Sequence, residues 1–445
     1  LPERGNPWPP RNSGTAAGAP SRHHALIPVQ RSGFTNGLIP LCVRTTSLFT
    51  AMKILTFSTL YPNAVKQHHG IFTETALKKV METGKIETVV VAPVPWFPFT
   101  HKMFGDYAGF AKVPTEEMRS GVRVLHPRYF LPPKMGMHVA PFLMAMASRS
   151  AIARLMDEGF QFDVIDAHYF YPDGVAATLL GRYFNKPVVI SALGTDINLI
   201  PKFYLPRKMI VWAGKNAAAV VTVCEALKTE LKKIGLARED IMPLRNGVDL
   251  ELFKPVDRPT TRSALGISGF TLLSVGYLVA RKGHHRAIAA LALMPDVTLA
   301  IAGGGPDENK LRKLATDLGV QNRVKFLGVL SQKELCRYYG ACDALVLASS
   351  REGWANVLLE SMACGTPVVA SNIWGTPDVI TSPEAGVLMP SNTPAGIAQA
   401  VAHLRSNYPS HTSTRAYAER FSWSDTTAEK VRIYSRVSQQ PESAH

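Results

Sequence analysis

The chain has 445 residues, 46% hydrophobic and 19% charged, with 49 Lys+Arg against 34 Asp+Glu for a formal net charge of +15. That length points to two domains, each able to bury its own core, and the ordinary composition excludes a disordered or fibrous chain. No uninterrupted apolar run approaches the roughly 18 residues of a spanning helix, so an integral membrane protein is not expected. The longest candidate, residues 139–147, contains Pro141.

Residues 1–51 differ from the rest, with five Arg, no Lys, one acidic residue and many Pro, Gly and Ser. They read either as an acid-poor transit segment or as sequence upstream of a start at Met52. The second reading is preferred, because no amphipathic helix or apolar signal core is present. From Met52 onward, strands are expected at 53–59, 88–94, 122–126, 163–168, 188–193 and 219–224, with helices at 72–83, 174–184 and 225–234. Runs such as VVVAP and PVVISAL suit strands covered by helices on both faces. The alternation restarts after Asn246-Gly247, with strands at 271–277, 297–302, 324–327, 344–348 and 368–370. Between the two series, LRNGVDLELFKPVDRP is rich in turn signals and reads as a hinge. The expected fold class is α/β: two doubly wound, Rossmann-like domains at 52–245 and 246–423 facing a cleft, then a helix and tail at 424–445. Ligands of such sheets sit at the carboxyl ends of the strands. The five cysteines (Cys42, Cys224, Cys336, Cys342, Cys364) include no C-x-x-C pair. Neither a disulfide framework nor a zinc ribbon is therefore expected, and a reducing compartment fits.

The segment SSREGWANVLLESMACGTPVVAS, residues 349–371, carries the strongest chemical signal. A strand, a loop with Glu352 and Gly353, and a helix from about Asn356 place Glu352 and Glu360 near one helix N-terminus. Its unpaired N–H groups and positive dipole end suit a diphosphate, while carboxylates suit sugar hydroxyls. A lone pair of glutamates would more simply be a solvated Glu352 and a dipole-complementing Glu360. The whole segment, however, resembles the E-x7-E signature of glycosyltransferase family 4, the retaining GT-B enzymes, through Glu352, Glu360, Gly365, Pro367, Val368 and Val369. The resemblance runs over essentially all of residues 52–435. It implies that Glu352 contacts the donor sugar, that Glu360 holds the ribose, and that backbone N–H groups of Gly353, Trp354, Ala355 and Asn356 meet sugar and phosphate. It also implies a C-terminal helix crossing back over the domains, supplied here by FSWSDTTAEKVRIYSRV.

In LLSVGYLVARKGHHRAI, Arg281 and Lys282 follow a strand and could steady a leaving diphosphate, or form a solvated turn. The resemblance assigns Lys282 to the donor phosphates. Tyr277 stands where many members have Arg, and Arg281 is the candidate replacement. Gly303 and Gly305 match the family's G-x-G-P turn at the nucleotide pocket, and Val329 lies in the segment whose backbone reads the base. In the first half, Gly70 of GIFT resembles the N-terminal glycine loop, although helix capping explains it nearly as well. His168 ends a strand, where the family places a His near the reacting sugar. Asp196 belongs to a Gly-x-Asp turn and is a candidate acceptor contact, with Leu193 departing from the family's His. Adjacent His pairs at 68–69 and 284–285 make no ligand cluster, so no metal is expected, and no other cofactor.

The resemblance therefore implies a nucleotide-sugar-dependent hexosyltransferase, with a UDP-sugar favoured. A looser match of YPN, HGIF, PVPWFP and HPRYFLPP to the teichuronic-acid and exopolysaccharide branch implies a glycan or polyprenyl-linked acceptor in cell-surface polysaccharide synthesis. Such enzymes work in the bacterial cytoplasm, at the inner face of the membrane. Eight aromatics between Trp96 and His138, with a net charge of +3, read as a packed insertion or as a lip touching an anionic membrane. Alternatives are a soluble transferase making a small glycoside or disaccharide, and a non-catalytic two-domain sugar-binding protein. No nucleic-acid motif accompanies the positive charge.

Overall fold

The structure, a computed structural model, describes residues 51–67, 69–96, 101, 109–131 and 136–439. Almost all of the 1–51 leader, most of the aromatic stretch between 97 and 108, and His68 lie outside the described residues.

The first half contains β1 (Met52–Phe57), β2 (Ile86–Val91), β3 (Val94–Trp96), β4 (Glu116–Arg119), β5 (Val122–Leu125), β6 (Arg128–Phe130), β7 (Val164–His168), β8 (Val188–Ala192), β9 (Ala219–Thr222) and β10 (Met242–Pro243). Eight of these form one sheet in the order β10-β9-β8-β7-β1-β2-β5-β4, and β3 pairs with β6 apart from it. Every pairing is parallel except β4 with β5. Strands β7, β8 and β9 are buried at every residue, which is why they consist mostly of small and branched apolar side chains, with Asp166, His168, Ser191 and Thr222 as the polar exceptions. The helices are α1 (Ile71–Met81), α2 (Gly136–Asp157), α3 (Val175–Phe184), α4 (Thr195–Asn198), α5 (Tyr204–Asn216) and α6 (Glu225–Lys233).

The second half contains β11 (Phe270–Val275), β12 (Val297–Ala302), β13 (Val324–Gly328), β14 (Ala344–Leu347), β15 (Val368–Ser371) and β16 (Gly386–Met389). They form a wholly parallel sheet, β13-β12-β11-β14-β15-β16. Its helices are α7 (Arg258–Leu265), α8 (His284–Ala290), α9 (Glu308–Asp317), α10 (Gln332–Ala341), α11 (Asn356–Ala363), α12 (Thr376–Val379), α13 (Pro394–Ser406) and α14 (His411–Glu419), followed by α15 (Trp423–Ser438). Both sheets reverse their strand order beside the first strand, between β1 and β7 and between β11 and β14. Such switch points open a crevice at the carboxyl ends of the strands. His168 closes β7 and the Ser349–Glu352 loop follows β14, so both expected catalytic elements flank a switch point.

Helix α15 returns to the first sheet as expected. Its Ile433, Tyr434 and Val437 pack with Ile54, Val164 and Val189, and Thr426 donates to the Arg245 carbonyl at 2.6 Å. The four cysteines among the described residues are free and buried.

Helix α2 adds a feature that a search for unbroken apolar runs does not name. It has 22 residues and is long and apolar enough, by length and composition alone, to cross a membrane. Ser148, Arg149 and Ser150 break the consecutive apolar run, which hid the helix from a search for unbroken stretches. Here its Ala140, Met144, Ile152 and Leu155 side is buried within the core.

Candidate active site

The loop after β14 is built by close stitching to the loop before α8. Ser350 N–H donates to the Arg281 carbonyl at 2.8 Å. Arg281 in turn donates to the Arg351 carbonyl at 3.1 Å, and Arg286 to that of Ala348 at 3.0 Å. This frame delivers Glu352, which is buried (7% exposed). Its Oε1 accepts from Lys282 Nζ at 2.7 Å and from Ser349 Oγ at 2.6 Å. Arg281 stands 3.8 Å from Oε2. The two cations and the first glutamate of the E-x7-E pattern thus form one cluster at the end of β14.

Glu360 lies one turn into α11. Tyr339 of α10 donates its hydroxyl to Glu360 Oε2 at 2.8 Å. Burial pushes the Glu360 carboxyl up to about 7, with the Tyr339 bond partly opposing. An unfolded glutamate titrates near 4.3, or about that. Between these values Glu360 keeps a proton in the native chain that it has released in the unfolded one, so its own contribution to stability declines as pH rises from about 4 to about 7. Burial likewise raises Asp173 to about 7 and Asp196 to about 6, which adds to that decline, and lowers His284 to about 4, which opposes it. Thermal melts across this range should therefore show Glu360→Gln gaining stability relative to the wild type as pH rises. Identical slopes would contradict a buried, protonated Glu360.

Glu360 and Asn356 open on an interdomain cavity of about 240 Å³, together with Phe72 and Thr75 of α1 and Trp423. A smaller one of about 40 Å³ is lined by His168, Ser191 and Leu193, and again by Phe72 and Trp423. Glu352 and Lys282 are not among the walls of either. Glu352 is turned onto Lys282, and the first domain closes over its loop: Asn198 Nδ2 donates to the Glu352 carbonyl at 3.3 Å. A Cβ at Gly353 would stand 1.8 Å from the Leu193 carbonyl oxygen, so only glycine permits this approach.

On the other side of the cleft His168 is buried at the end of β7 (4% exposed). Its Nε2 lies 2.7 Å from Asp166 Oδ2, which also accepts from Lys430 Nζ at 3.0 Å and the Tyr434 hydroxyl at 2.7 Å. Lys430 and Tyr434 come from α15. Burial, and then Lys430, hold the His168 ring below its usual range although Asp166 opposes them. Asp166 stays below the usual carboxylate range: burial raises it, but the charges of His168 and Lys430 outweigh that. Lys430 Nζ lies 3.0 Å from the same Nε2, so the neutral ring offers Nδ1 as an acceptor for a hydroxyl when Nε2–H donates to Asp166, and as a donor when Nε2 accepts from Lys430.

Two expected site residues are placed differently. Asp196 is wholly buried, and its carboxylate accepts from the N–H groups of Phe170 (2.7 Å), Gly194 (2.6 Å) and Leu193 (3.1 Å). It shapes the Gly194 turn and offers the cleft no acceptor contact. The Trp354 side chain is also buried, packed on Phe421 at 6.3 Å between ring centroids, so only its backbone is left for a ligand. The remaining glycines fall at loops. Gly70 caps α1 with φ +70, and a Cβ there would meet the Leu60 carbonyl at 2.2 Å. Gly303 donates to the Gly328 carbonyl at 2.7 Å, and a Cβ at Gly305 would lie 2.6 Å from Leu278 N. Beside this turn, Tyr277 and Val329 are exposed, as is Arg281 in part.

Sequence reasoning missed Asp166, Lys430, Tyr434, Ser349, Asn198 and Tyr339. Only Asp166, two residues before His168 on a buried strand, carried a signal, because an unpaired buried carboxylate is too costly to leave without a partner. Among the described residues, no group of three or more His, Cys, Asp or Glu is arranged to hold a metal. His284 instead bonds Ser274 at 2.9 Å.

The family description "Glycosyl transferases group 1" matches residues 257–421, and "Glycosyltransferase Family 4" matches residues 86–252. The chain is 30% identical over 302 residues to D-inositol 3-phosphate glycosyltransferase 1 of Catenulispora acidiphila, covering 61% of this chain and 72% of that one. The chain belongs to glycosyltransferase family 4. It is also 26% identical over 358 residues to TuaC of Bacillus subtilis, a glycosyltransferase assigned to teichuronic acid biosynthesis, covering 79% of this chain and 88% of that one. Among solved structures, sucrose-phosphate synthase from Thermosynechococcus elongatus superposes with a TM-score of 0.71 at 18% identity, covering 87% of this chain and 98% of that one. Anabaena HepE in complex with UDP-glucose does so at 0.65 and 20%, covering 86% and 100%. The fold of this family 4 enzyme is accordingly GT-B, as expected. It is a glycosyltransferase of the hexosyl-transferring class, so the non-catalytic sugar-binding alternative falls away.

Proposed function

We propose that this family 4 glycosyltransferase moves a hexosyl group, with retention, from a nucleotide-sugar (UDP-sugar favoured) to a glycan or polyprenyl-linked acceptor in bacterial cell-surface polysaccharide synthesis. The single observation that carries the reading is the gathering of Lys282 and Arg281 on Glu352 at the carboxyl end of β14, next to the switch point. On donor binding, Lys282 and Arg281 exchange Glu352 for the diphosphate and stabilise the charge that builds on it as the anomeric bond breaks. Glu352, freed, grips the donor sugar, and Glu360 holds the ribose from the cavity. The backbone N–H groups of Gly353 to Asn356 meet phosphate and sugar. Val329 and the Gly303–Gly305 turn border the base. Gly70 lets the start of α1 approach the donor, and His168 accepts a sugar hydroxyl at Nδ1.

Retention here needs no carboxylate nucleophile. A front-face transfer lets the leaving phosphate oxygen take the acceptor proton, so the protein supplies positioning and electrostatics, without a metal or other cofactor. Support for UDP comes from HepE, whose structures carry UDP and UDP-glucose. Support for the acceptor class comes from TuaC. In this reading the enzyme works in the cytoplasm, at the inner face of the membrane. A second reading, transfer to a small soluble acceptor, is favoured by the relative named for inositol 3-phosphate.

Thermal melts with UDP, GDP and ADP, in EDTA, test the donor site. Ligand at 100 times its Kd stabilises by about 2.7 kcal/mol. One nucleotide should stand out, and Glu360→Ala should weaken its effect. No stabilisation by any of the three would remove the donor assignment.

A further inference from the structure

We propose that the ridge Phe203-Tyr204-Leu205 is a docking surface for an anionic phospholipid bilayer. These three consecutive residues, at the start of α5, are 46%, 57% and 49% exposed. Scattered single apolar residues on a surface need no explanation, but three exposed in succession at a helix start do. The turn is firmly seated, because Pro201 and Pro206 on either side are buried, as is Ile210 one turn on. The apolar tips are therefore presented by the fold.

Charge selects the partner. Lys202, Arg207 and Lys208 flank the ridge and are all exposed. Lys208 Nζ lies 4.5 Å from the Tyr204 ring centroid, and the Arg207 guanidinium 5.9 Å from it. Between Asp196, whose carboxylate is buried on backbone N–H groups, and Glu225 the only charged side chains are Lys202, Arg207, Lys208 and Lys215. The same helical layer adds exposed Phe142 and Met146 on α2, and Arg149 stacks 4.3 Å over exposed Tyr183 of α3. A surface that docks another protein depletes charge at its centre. Apolar tips ringed by cations, with no anion among them, fit lipid headgroups of opposite sign.

The ridge also lies near the cleft. Its first residue lies five positions on from Asn198, which touches the Glu352 loop, so the chain between them spans at most about 18 Å. A ridge seated in the headgroups would hold the cleft near the bilayer surface, where a lipid-linked acceptor presents its sugar. The inference rests on the proposed function for that purpose alone, since membrane binding itself needs neither donor nor acceptor.

Co-sedimentation of the full chain with phosphatidylcholine vesicles, plain or mixed with equal phosphatidylglycerol, tests it at low and high salt. The wild type should bind the anionic vesicles, and salt should weaken binding. Lys202→Glu with Arg207→Glu and Lys208→Glu should lower partitioning on the order of a hundredfold. Phe203→Ser with Tyr204→Ser and Leu205→Ser should lower it by about tenfold or more. Both variants should keep the nucleotide-induced rise in melting temperature, which reports an intact donor site. Unchanged vesicle binding in both variants overturns the proposal. So does a wild-type dimer that the serine variant dissolves while vesicle binding persists, which would give the ridge to a second copy. Absence of the nucleotide effect in the wild type would undo the donor reading and leave the vesicle result standing.

Discussion

Lys282→Met is expected to lower kcat by about 10²–10³ while the protein stays folded, because removing one preorganised donor from a developing oxyanion has that size of effect. Lys282 Nζ is bound to Glu352 at 2.7 Å, and losing a buried partner is costly when it strands the other charge. Glu352 is not stranded here, since Ser349 Oγ stays at 2.6 Å and Arg281 at 3.8 Å. The stability loss should therefore be small, on the order of 1 kcal/mol. Steady-state kinetics with the nucleotide-sugar found in the donor screen, beside a thermal melt, separate the two effects. Normal kcat in a folded Lys282→Met variant would remove Lys282 from the proposed mechanism and pass its role to Arg281. A collapsed melting temperature would instead make the cation structural.

Asp166→Ala should act in the opposite way, chiefly on stability. Asp166 Oδ2 is the common acceptor for His168, Lys430 and Tyr434. Its removal takes the anion from Lys430, which keeps only His168 Nε2 at 3.0 Å, and leaves the Tyr434 hydroxyl without its acceptor, a loss of about 3–5 kcal/mol. For a domain of this size that is a fall of roughly 6–15 °C in melting temperature. Lys430 borders the small cavity, so partial hydration there puts the expected value at the lower end. Pairing Asp166→Asn with Lys430→Met removes both charges and should recover much of the loss, which a mere cavity effect would not. Asp166→Asn alone also unfixes the His168 tautomer. If His168 Nδ1 receives a sugar hydroxyl, kcat/KM should drop further than folding accounts for. Equal stability of Asp166→Ala and wild type would mean that α15 is held by its apolar face alone.

The acid side of this cluster follows from the same pairs. The folded Asp166 value lies below the unfolded one, so its contribution is present above about pH 4 and fades only as pH falls through the folded value. The raised Glu360, Asp173 and Asp196 weigh the opposite way below about pH 7, while the lowered His168 and His284 favour the native chain as pH rises.

Much of the architecture was legible from residue order. The strands buried on both faces betray themselves as apolar runs, since no polar side chain can stand on either side of such a strand without a partner. Alternation with helices then leaves few topologies, and right-handed crossovers fix the doubly wound order. The E-x7-E segment was equally plain, because a strand, a loop and a helix N-terminus are local features within a short stretch. Helix α2 was not legible. Its apolar residues lie both on the buried side (Ala140, Met144, Ile152) and on the exposed one (Phe142, Met146), which blurs the 3.6-residue period.

Side-chain direction was decided by the tertiary structure. Asp196 and Trp354 sit in motif positions, yet the first satisfies backbone N–H groups and the second fills the core beside Phe421. Neither outcome follows from spacing, because a turn residue can point to either side of its loop. The partners of the site are more distant still: Lys430 meets Asp166 across 264 residues of chain and Glu352 meets Lys282 across 70. Residue order by itself determined which elements form and which loops end at the cleft, for hydrophobic burial and turn chemistry act locally. Which charges meet there, and which glutamate faces the open cavity, depended on how two sheets and a returning helix pack, since a buried ion pair exists only where folding brings both ends together.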